Sequence, residues 1–450
     1  MKKVFDEVVS LDKRCYENFG LSEDLLMENA ASSMASCIQN KFPKNSKVLI
    51  ICGNGNNGAD GITLARILFG SYEIELFLPL GIKSSMAILQ LERAKKVGVK
   101  IVEGISNNNY DVIVECLFGS GFNKPISSEI NDLLLTLGSL QAYKIACDIP
   151  VVPFKADTTI TMGSLKKKLF LDGLKDYIGE IIVGNLGVSQ EMYETDTTCF
   201  LLEKSDMKLP FRKKLASHKG DFGHLAVVIG DKKGAGLIAC EAGFTFGAGL
   251  VTAITQETNL PLHIMQSEIL PYNTTAIALG MGLGKKFQSS LIENEIPKII
   301  DADIFYDEVI LKILEQENIV LTPHPKEFCS LLFLCGFGKI TIDALQENRF
   351  VFVEKFCQKY PKIVLLLKGA NVIIAQNEQI FINTFGTPKL SFGGSGDVLS
   401  GLIGSLLAQQ YTPLDATITA SLAHSFSSKM YNLNDYSMKP QDLIEGIRKL

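Results

Sequence analysis

The sequence lacks the features that would tie it to a membrane, a nucleic acid or a disulfide framework. It has no run of about 18 consecutive apolar residues, so no membrane span is predicted. It has no long Lys/Arg tract, and its net charge of −5 leaves no electrostatic footprint for nucleic acid. Its ten cysteines show neither a C-x-x-C pair nor a Cys/His ligand spacing, which argues against a zinc site and against paired disulfides.

The compartment is predicted from the N-terminus and the cysteines. MKKVFDEVVS carries acidic residues where a signal peptide needs an apolar stretch. Cys52, Cys116 and Cys147 fall inside apolar, strand-like runs, where cysteine behaves as a small hydrophobic residue. With 46% hydrophobic and 21% charged residues, the composition predicts a globular protein, and a reducing cytoplasm is its simplest location.

The length of 450 residues predicts two domains, and the hydrophobic pattern predicts that both belong to the α/β class. In the first half, β-branched runs such as KVLIIC and DVIVEC alternate with helical patterns, which favours a parallel sheet covered by helices. The polar segment 203–220 is the predicted linker. A second alternating series follows it and closes with two helices from about Asp397. The predicted domains are 1–205 and 217–450.

A glycine-rich loop, GNGNNGADG, follows the first of these strands. Gly53, Gly55 and Gly58 have the G-x-G-x-x-G spacing that lets a backbone approach a pyrophosphate. In a dehydrogenase, an acidic residue about 20 positions later holds the ribose, and Glu73 or Glu75 would take that place. The spacing alone therefore permits an ordinary dinucleotide loop.

Polar side chains in and near this loop indicate a different chemistry. Asn56, Asn57 and Asp60 put amide and carboxylate oxygens into a predicted turn, where they suit a hard cation or merely stabilise turn geometry. Two later predicted strands end at Glu115, followed by the glycine-rich segment 119–125, and at Asp148. Because loops at the carboxyl ends of parallel strands line one crevice, these groups are predicted to converge on one ligand.

In this order and spacing, the motifs of the first half resemble the epimerase domain of NAD(P)H-hydrate repair enzymes. The resemblance covers about residues 1–200 and rests on LLMENAASSMA, GNGNNGADG, ECLFGSGF, CDIP, KADTTITMG and YIGEIIVGNLGV. It implies a Rossmann-like domain that binds NADHX or NADPHX, the reduced cofactor hydrated at C6, and interconverts its R and S epimers.

The same resemblance implies roles for individual residues. Asp148 would bind substrate and transfer a proton during epimerisation. Asn57 would ligate potassium together with Glu115 and Val151, which stand where the family usually has Asp and Ser. The implied substrate-binding residues are Asn56, Asn57, Gly58, Ala59, Asp60, Gly119, Ser120, Gly121, Phe122, Asn123, Lys124, Pro125 and Asp148.

The strongest motif of the second half is GGSGDVLSGLIGSLLAQ, which begins at Gly393. Its glycines lead directly into an apolar helix, so free N–H groups and the helix dipole would converge on an anion. Asp397 lies in the predicted first turn, as a helix cap or as a base facing a bound phosphate, and the glycines favour the base.

Three further sequence features belong to the second half. Lys368 and Gly369 end a predicted strand, where they suit a nucleotide contact. His324 lies in the rigid turn TPHPKEF and, taken alone, is structural. The two aspartates of KIIDAD, Asp301 and Asp303, organise a metal or water, or are buried caps, and both interpretations stay open.

The second half resembles the ribokinase-like dehydratase domain that accompanies the epimerase in bifunctional repair enzymes. The resemblance runs from about Ser217 to Leu450 through HKGDFGHLAVVIG, KGAGLIACEAGFTFGAGLV, ALGMGLG, IIDAD, LTPHPKEF, KGANVII and GGSGDVLSGLI. It implies that Asp397 draws the proton from the C6 hydroxyl, which takes a phosphoryl group from ADP in the presence of Mg²⁺. The implied hydrate contacts are Ala235, Gly282, His324 and Asp397, and the implied nucleotide contacts are Lys368, Gly369, Ala370, Asn371, Val372 and Gly396.

Two alternatives remain at this stage. The second half has the G-x-G-D pattern of a ribokinase-type small-molecule kinase, which would leave a stable phosphate ester. The first half resembles domains that occur in non-catalytic binding modules. In either case the predicted partners are small molecules and further copies of the chain, as a homo-oligomer.

Overall fold

A computed structural model describes residues 1–106, 109–122, 124–284 and 291–450. It forms two compact units, Lys3–Thr197 and Thr198–Leu450 together with Met1–Lys2, called here the N-terminal unit and the C-terminal unit. The division falls at Thr197, earlier than the predicted limit at residue 205.

The strands of the N-terminal unit are β1 (Lys2–Phe5), β2 (Lys47–Cys52), β3 (Glu73–Phe77), β4 (Lys100–Val102), β5 (Val112–Cys116), β6 (Tyr143–Cys147), β7 (Thr158–Met162), β8 (Leu165–Lys166) and β9 (Glu180–Gly184). Its helices are α1 (Val9–Phe19), α2 (Glu23–Lys41), α3 (Asn56–Leu68), α4 (Ser85–Val97), α5 (Ser128–Ser139), α6 (Lys175–Ile178) and α7 (Gln190–Tyr193). Ser22 and Ser84 cap α2 and α4 through their side chains, which explains where these helices begin.

Seven strands of this unit form one sheet in the order β4-β3-β2-β5-β6-β7-β9, with parallel pairing throughout. β5 is buried along its whole length, as expected for a strand covered by helices on both faces, and this explains its continuous apolar run. The expectation that β7 and β9 complete the same sheet is confirmed. β1 and β8 pair in parallel with each other and do not belong to this seven-stranded sheet.

The strands of the C-terminal unit are β10 (Cys199–Leu201), β11 (His224–Val228), β12 (Leu250–Ile254), β13 (Met265–Ser267), β14 (Ala276–Leu279), β15 (Lys298–Ile300), β16 (Ile319–Leu321), β17 (Val364–Leu367), β18 (Val372–Gln376) and β19 (Gln379–Asn383). Its helices are α8 (Lys233–Thr245), α9 (Val309–Ile313), α10 (Pro325–Leu334), α11 (Ile342–Glu347), α12 (Arg349–Lys359), α13 (Ser395–Ala408), α14 (Pro413–Lys429) and α15 (Pro440–Ile447).

These strands pair in the order β13-β12-β11-β14-β15-β16-β17-β18-β19-β10. The pairing is parallel from β13 to β17 and antiparallel through the hairpin of β17, β18 and β19. β10 pairs in parallel with β19, so residues 199–201 belong to this sheet and the division between the units precedes them. The predicted class, α/β with a parallel sheet in the N-terminal domain, is confirmed.

The apolar helix α13 is buried along almost its whole length and packs between α8 and α14. Its amino end, where the sequence predicts the anion-binding turn, is partly exposed at Gly394, Gly396 and Asp397. Among the residues that the structure describes, no helix combines the length and apolarity needed to cross a membrane.

Candidate active sites

The first candidate site lies where β2 turns into α3. The helix already begins at Asn56, so Asn56, Asn57 and Asp60 lie in its first turns and not in the turn that the sequence predicted. Gly55 precedes them with extended backbone and supplies no side-chain cap, which leaves the amino end of α3 open to a ligand. The buried Nδ2 of Asn57 has no partner in the described part of the chain, and a ligand oxygen would satisfy it.

The three glycines of the loop differ in whether the packing of the fold requires them. A Cβ on Gly53 would overlap the carbonyl of Leu117, and a Cβ on Gly58 would overlap the carbonyl of Gly53. These two glycines are therefore required by the packing of backbone on backbone. Gly55 has open space where a Cβ would lie, so fold packing alone does not require a glycine there.

A methyl group at position 55 would stand in the open space at the amino end of α3, so Gly55→Ala is expected to weaken ligand binding there while leaving the N-terminal unit folded. Loss of the N-cap glycine changes the free energy of unfolding by about 1 kcal/mol or less, whereas Gly53→Ala and Gly58→Ala force backbone to move and unfold the unit at lower temperature. The melting temperature of each variant, measured by calorimetry, is compared with its KM for the hydrate that the resemblance implies. Gly55→Ala should change KM, and the other two variants should change the melting temperature. Equal loss of stability in all three variants would contradict it.

Asp148 follows β6 and has a left-handed backbone, with φ of 69°. Its Oδ2 accepts a hydrogen bond from the Ser120 N–H at 2.7 Å, and its Oδ1 forms an ion pair with Lys166, whose side chain is 1% exposed. Lys166 also donates to Thr161 Oγ1 at 2.8 Å and to the Met162 carbonyl at 3.0 Å. Burial would raise the pKa of Asp148, but the charge of Lys166 and the bond from Ser120 outweigh it, and the pKa lies below its usual value.

Two further carboxyl groups interact with this ion pair. Burial and the charge of Asp148 raise the pKa of Asp60 well above its usual range. Burial also raises the pKa of Asp12, on α1, to about 6, against the opposing effect of Lys166. A carboxyl with a lowered pKa beside carboxyl groups with raised pKa values is a suitable arrangement for acid and base work.

Two of the three residues predicted to ligate potassium, Glu115 and Val151, accept main-chain hydrogen bonds. Both carboxylate oxygens of the buried Glu115 accept main-chain hydrogen bonds, from Leu117 at 2.7 Å and from Val151 at 3.2 Å, and burial raises its pKa to about 7. Val151 has no side-chain oxygen, and its carbonyl accepts the N–H of Phe154 at 2.8 Å. Each of these oxygens accepts one main-chain hydrogen bond and keeps a second lone pair, so Asn57, Glu115 and Val151 stay predicted potassium ligands.

The glycine-rich loop after β5 reaches the same place. Gly119 lies close to the side chains of Asp148 and Asn57. A Cβ on Gly119 would lie 3.3 Å from Asp148 Oδ2 and 3.6 Å from Asn57 Oδ1. Phe122 stacks on Phe118 with ring centroids 3.9 Å apart, and Lys168 Nζ donates to the Phe122 carbonyl at 3.0 Å. Of the remaining predicted residues, Gly58 and Ala59 are buried, Gly121, Lys124 and Pro125 are exposed, and Asn123 lies outside the described residues.

The acidic residues considered for a dehydrogenase ribose contact lie elsewhere. Glu73 is the first residue of β3, at the end opposite to the ligand loops. Glu75 accepts the hydroxyl of Tyr110 at 2.6 Å and pairs with Lys100. An ordinary dehydrogenase loop is therefore not supported.

The second candidate site is the amino end of α13. Gly394 precedes the helix with φ of 102° and provides no side-chain cap, so the first-turn N–H groups face outward. A Cβ on Gly396 would lie 3.3 Å from Lys368 Nζ, which places the lysine ammonium against this turn. An ammonium and a helix amino end side by side suit a multiply charged anion.

Asp397 lies in the first turn beside these groups. Burial and the charge of Asp301 raise its pKa to about 6, although Lys368 opposes the shift. A carboxyl with this pKa is ionised at neutral pH and still basic enough to accept a proton. The prediction that Asp397 is a base is compatible with this geometry.

His424, on α14, forms a hydrogen bond to the main chain of the same turn. Its Nε2 donates to the Ser395 carbonyl at 2.9 Å, and burial lowers its pKa to about 4, so the ring is neutral at physiological pH. The sequence analysis did not single out His424, because a lone histidine in a helix of small residues carries no signal of its position.

The predicted hydrate contacts fall into two places. Ala235 and Gly282 are neighbours, since a Cβ on Gly282 would lie 3.1 Å from Ala235 Cβ, and the α8 residue Ile238 lies beside Gly394. His324 caps α10, where its Nδ1 accepts the N–H groups of Lys326 at 3.1 Å and Glu327 at 3.2 Å. The structural role considered for His324 is thus present, and its ring remains half exposed.

The predicted nucleotide segment follows β17 directly. Gly369 and Ala370 are exposed, Asn371 is buried, and Val372 begins β18. The Ala370 carbonyl lies 3.6 Å from a Cβ position on Gly386. The segment is therefore an open turn next to Lys368.

Lys166 and Asp301 are the charged residues that the sequence analysis missed or left open. Lys166 stands in the basic run KKK, which looks like a solvated face. The signal available was the buried Asp148, which needs a compensating cation. Asp301 was recognised as a strand-end carboxylate, but its partners come from distant parts of the chain.

Comparison with known proteins gives matches over both halves. A family profile described as NAD(P)H-hydrate dehydratase matches residues 225–449, and one described as YjeF-related protein N-terminus matches residues 23–168. A Helicobacter pylori protein named bifunctional NAD(P)H-hydrate repair enzyme is 45% identical over 100% of both chains. A protein of the same name from Escherichia coli is 29% identical over 93% of this chain and 87% of its own. The crystal structure of an ADP/ATP-dependent NAD(P)H-hydrate dehydratase from Bacillus subtilis is 23% identical, covering 53% of this chain and 92% of its own with a TM-score of 0.45.

Proposed function

The chain belongs to the family of bifunctional NAD(P)H-hydrate repair enzymes, and we propose that it divides the two reactions of that family between its two units. It is an NAD(P)H-hydrate epimerase and dehydratase. The N-terminal unit would interconvert the R and S hydrates, and the C-terminal unit would return the S hydrate to NADH or NADPH at the expense of ADP. One observation carries the dehydratase proposal, the placement of Lys368 and Asp397 together at the amino end of α13.

In the proposed epimerase site, the hydrate lies over the amino end of α3. Asp148 is ionised because of Lys166 and accepts the proton released when the ring opens at C6. Asp60, whose pKa is raised by burial and by the charge of Asp148, is the proposed acid for the opened ring. Reclosure on the other face returns both protons and gives the other epimer. Asn57, Glu115 and Val151 stay proposed potassium ligands, and the proton transfers above do not depend on that ion.

In the proposed dehydratase site, Asp397 takes the proton of the C6 hydroxyl. The oxygen then attacks the β-phosphorus of ADP, AMP leaves, and the new phosphate departs from C6 as a proton leaves the neighbouring carbon. Lys368 and the N–H groups of α13 hold the phosphoryl charge during the transfer. No group of three or more acidic, His or Cys side chains forms a metal cage in the described ranges, which suits a Mg²⁺ ion that arrives on the nucleotide and shields its phosphates.

The test of the whole proposal uses an R/S mixture of NADHX with ADP and Mg²⁺. Complete recovery of NADH absorbance is expected, because the epimerase feeds the R form to the dehydratase. NADH recovery that stops near half would show that the R form is not converted and would contradict the epimerase activity. A stable phosphate ester with no NADH would instead indicate the ribokinase-type kinase.

The setting of the enzyme is also a proposal. All ten cysteines are free and nine of them are buried, which suits the reducing cytoplasm predicted from the sequence. The homo-oligomer stays a prediction.

A further inference from the structure

We propose that Asp301 is a positioning residue of the dehydratase site, which holds the ammonium of Lys368 against the first turn of α13 so that both meet the phosphates together. The inference rests on the proposed function, in which this turn receives the nucleotide. It adds a residue that neither the helix nor the nucleotide segment contains.

The carboxylate of Asp301 joins three elements. It is 2% exposed and follows β15. Its Oδ1 accepts Lys368 Nζ at 2.7 Å and the Ala302 N–H at 2.9 Å, and its Oδ2 accepts Ser400 Oγ, on the second turn of α13, at 2.8 Å. The lysine is thereby fixed in direction relative to the helix.

Electrostatics explains why such a clamp is needed. The amino end of a helix carries partial positive charge, so an ammonium beside it is repelled while no anion is bound. Lys368 Nζ nevertheless lies 3.3 Å from a Cβ position on Gly396, in the first turn. A buried carboxylate that pairs with the ammonium offsets this repulsion. Once phosphate arrives, the helix end and the ammonium both attract it, and the site needs no rearrangement.

The same carboxylate influences the base. The charged groups that act on Asp397 are Asp301, which raises its pKa, and Lys368, which lowers it, while burial has the largest effect. His424, behind the turn, stays neutral above pH of about 4. Removal of the charge of Asp301 therefore lowers the pKa of Asp397.

Asp301→Asn tests the inference, because the amide keeps the shape of the side chain and loses the ion pair. We expect kcat/KM for ADP to fall by about tenfold or more. The acid limb of the pH profile of kcat/KM should move below pH of about 6, because ionisation of Asp397 becomes easier. A shifted acid limb with unchanged kcat/KM for ADP would show only an effect of charge on Asp397 and would overturn the positioning role.

A double-mutant cycle shows whether Asp301 acts through Lys368. In the Lys368→Met background, Asp301→Asn should lower kcat/KM no further, because no ammonium is left to hold. Ser400→Ala should act in the same direction as Asp301→Asn but more weakly, and it keeps the test available if the asparagine variant does not fold. Asp415→Asn, in the first turn of α14 where the carboxylate pairs with Lys208, is the control and should leave kcat/KM unchanged.

Additive effects in the cycle, or an unmoved acid limb with unchanged kcat/KM, would overturn the inference. Failure of the proposed function looks different. It appears as full turnover in Asp397→Asn, whereas failure of this inference leaves Asp397→Asn inactive and Asp301→Asn equal to the wild type.

Discussion

Asp397→Asn is expected to lower dehydratase turnover by a factor of about 10² to 10⁴, the usual contribution of a positioned general base. The amide cannot accept the proton of the C6 hydroxyl, while Lys368 and the helix end still bind the nucleotide. The KM for ADP should therefore stay close to that of the wild type, and the loss should appear in kcat. Recovery of NADH absorbance from the S hydrate measures both constants.

The stability of the same variant provides the control. In the folded protein the pKa of Asp397 is raised from 3.8 to about 6, so ionisation of this group opposes folding as the pH rises through that window. Asp397→Asn removes the penalty, and its melting temperature at neutral pH should equal or exceed that of the wild type. Asp415→Asn should retain turnover. An inactive variant that melts early would show misfolding and not the loss of a base.

Lys166→Met is expected to destabilise the N-terminal unit by about 3–5 kcal/mol, the usual cost of leaving a buried charge without its partner. Lys166 is 1% exposed and Asp148 is its ion-pair partner, so the carboxylate cannot turn to water. Urea unfolding of the full chain, followed through the transition of this unit, measures the loss. Epimerase activity should fall as well, because Asp148 then favours its protonated form.

Two variants complete this experiment. Lys166→Met combined with Asp148→Asn should recover much of the stability, since no buried charge remains. Lys41→Met removes a lysine whose pair with Glu180 is exposed by 36% and 62%, and it should cost less than about 1 kcal/mol. If the single Lys166 variant were as stable as the double variant, Asp148 would not depend on Lys166 for its charge.

The two sites use opposite electrostatic settings for their aspartates. In the N-terminal unit a buried lysine lowers the pKa of Asp148, while burial and the charge of Asp148 raise the pKa of Asp60. In the C-terminal unit the lysine pairs with Asp301 instead, and Asp397 is left with a pKa of about 6. In each site burial has the largest effect on the pKa of these aspartates, and the nearby lysine opposes it.

The sequence by itself determined the local structure and the loops that carry chemistry. Alternating apolar runs predicted the parallel strands, because burial on both faces requires continuous hydrophobic residues. The glycines before Asp397 marked the open end of α13, because the lack of a side-chain cap is a property of the local residues. The motifs also identified the family, since their order is written along the chain.

Only the tertiary structure decided what each of these groups faces. Folding brings together residues that lie apart in the sequence. It pairs Asp148 with Lys166, and Asp301 with Lys368 and Ser400. It also turns the main chain so that its N–H groups meet the carboxylate of Glu115. Their pKa values depend on burial and on charges brought close by folding, and no spacing rule encodes either. The division at Thr197 was hidden for the same reason, since β10 joins a sheet whose neighbouring strand, β19, lies far along the chain.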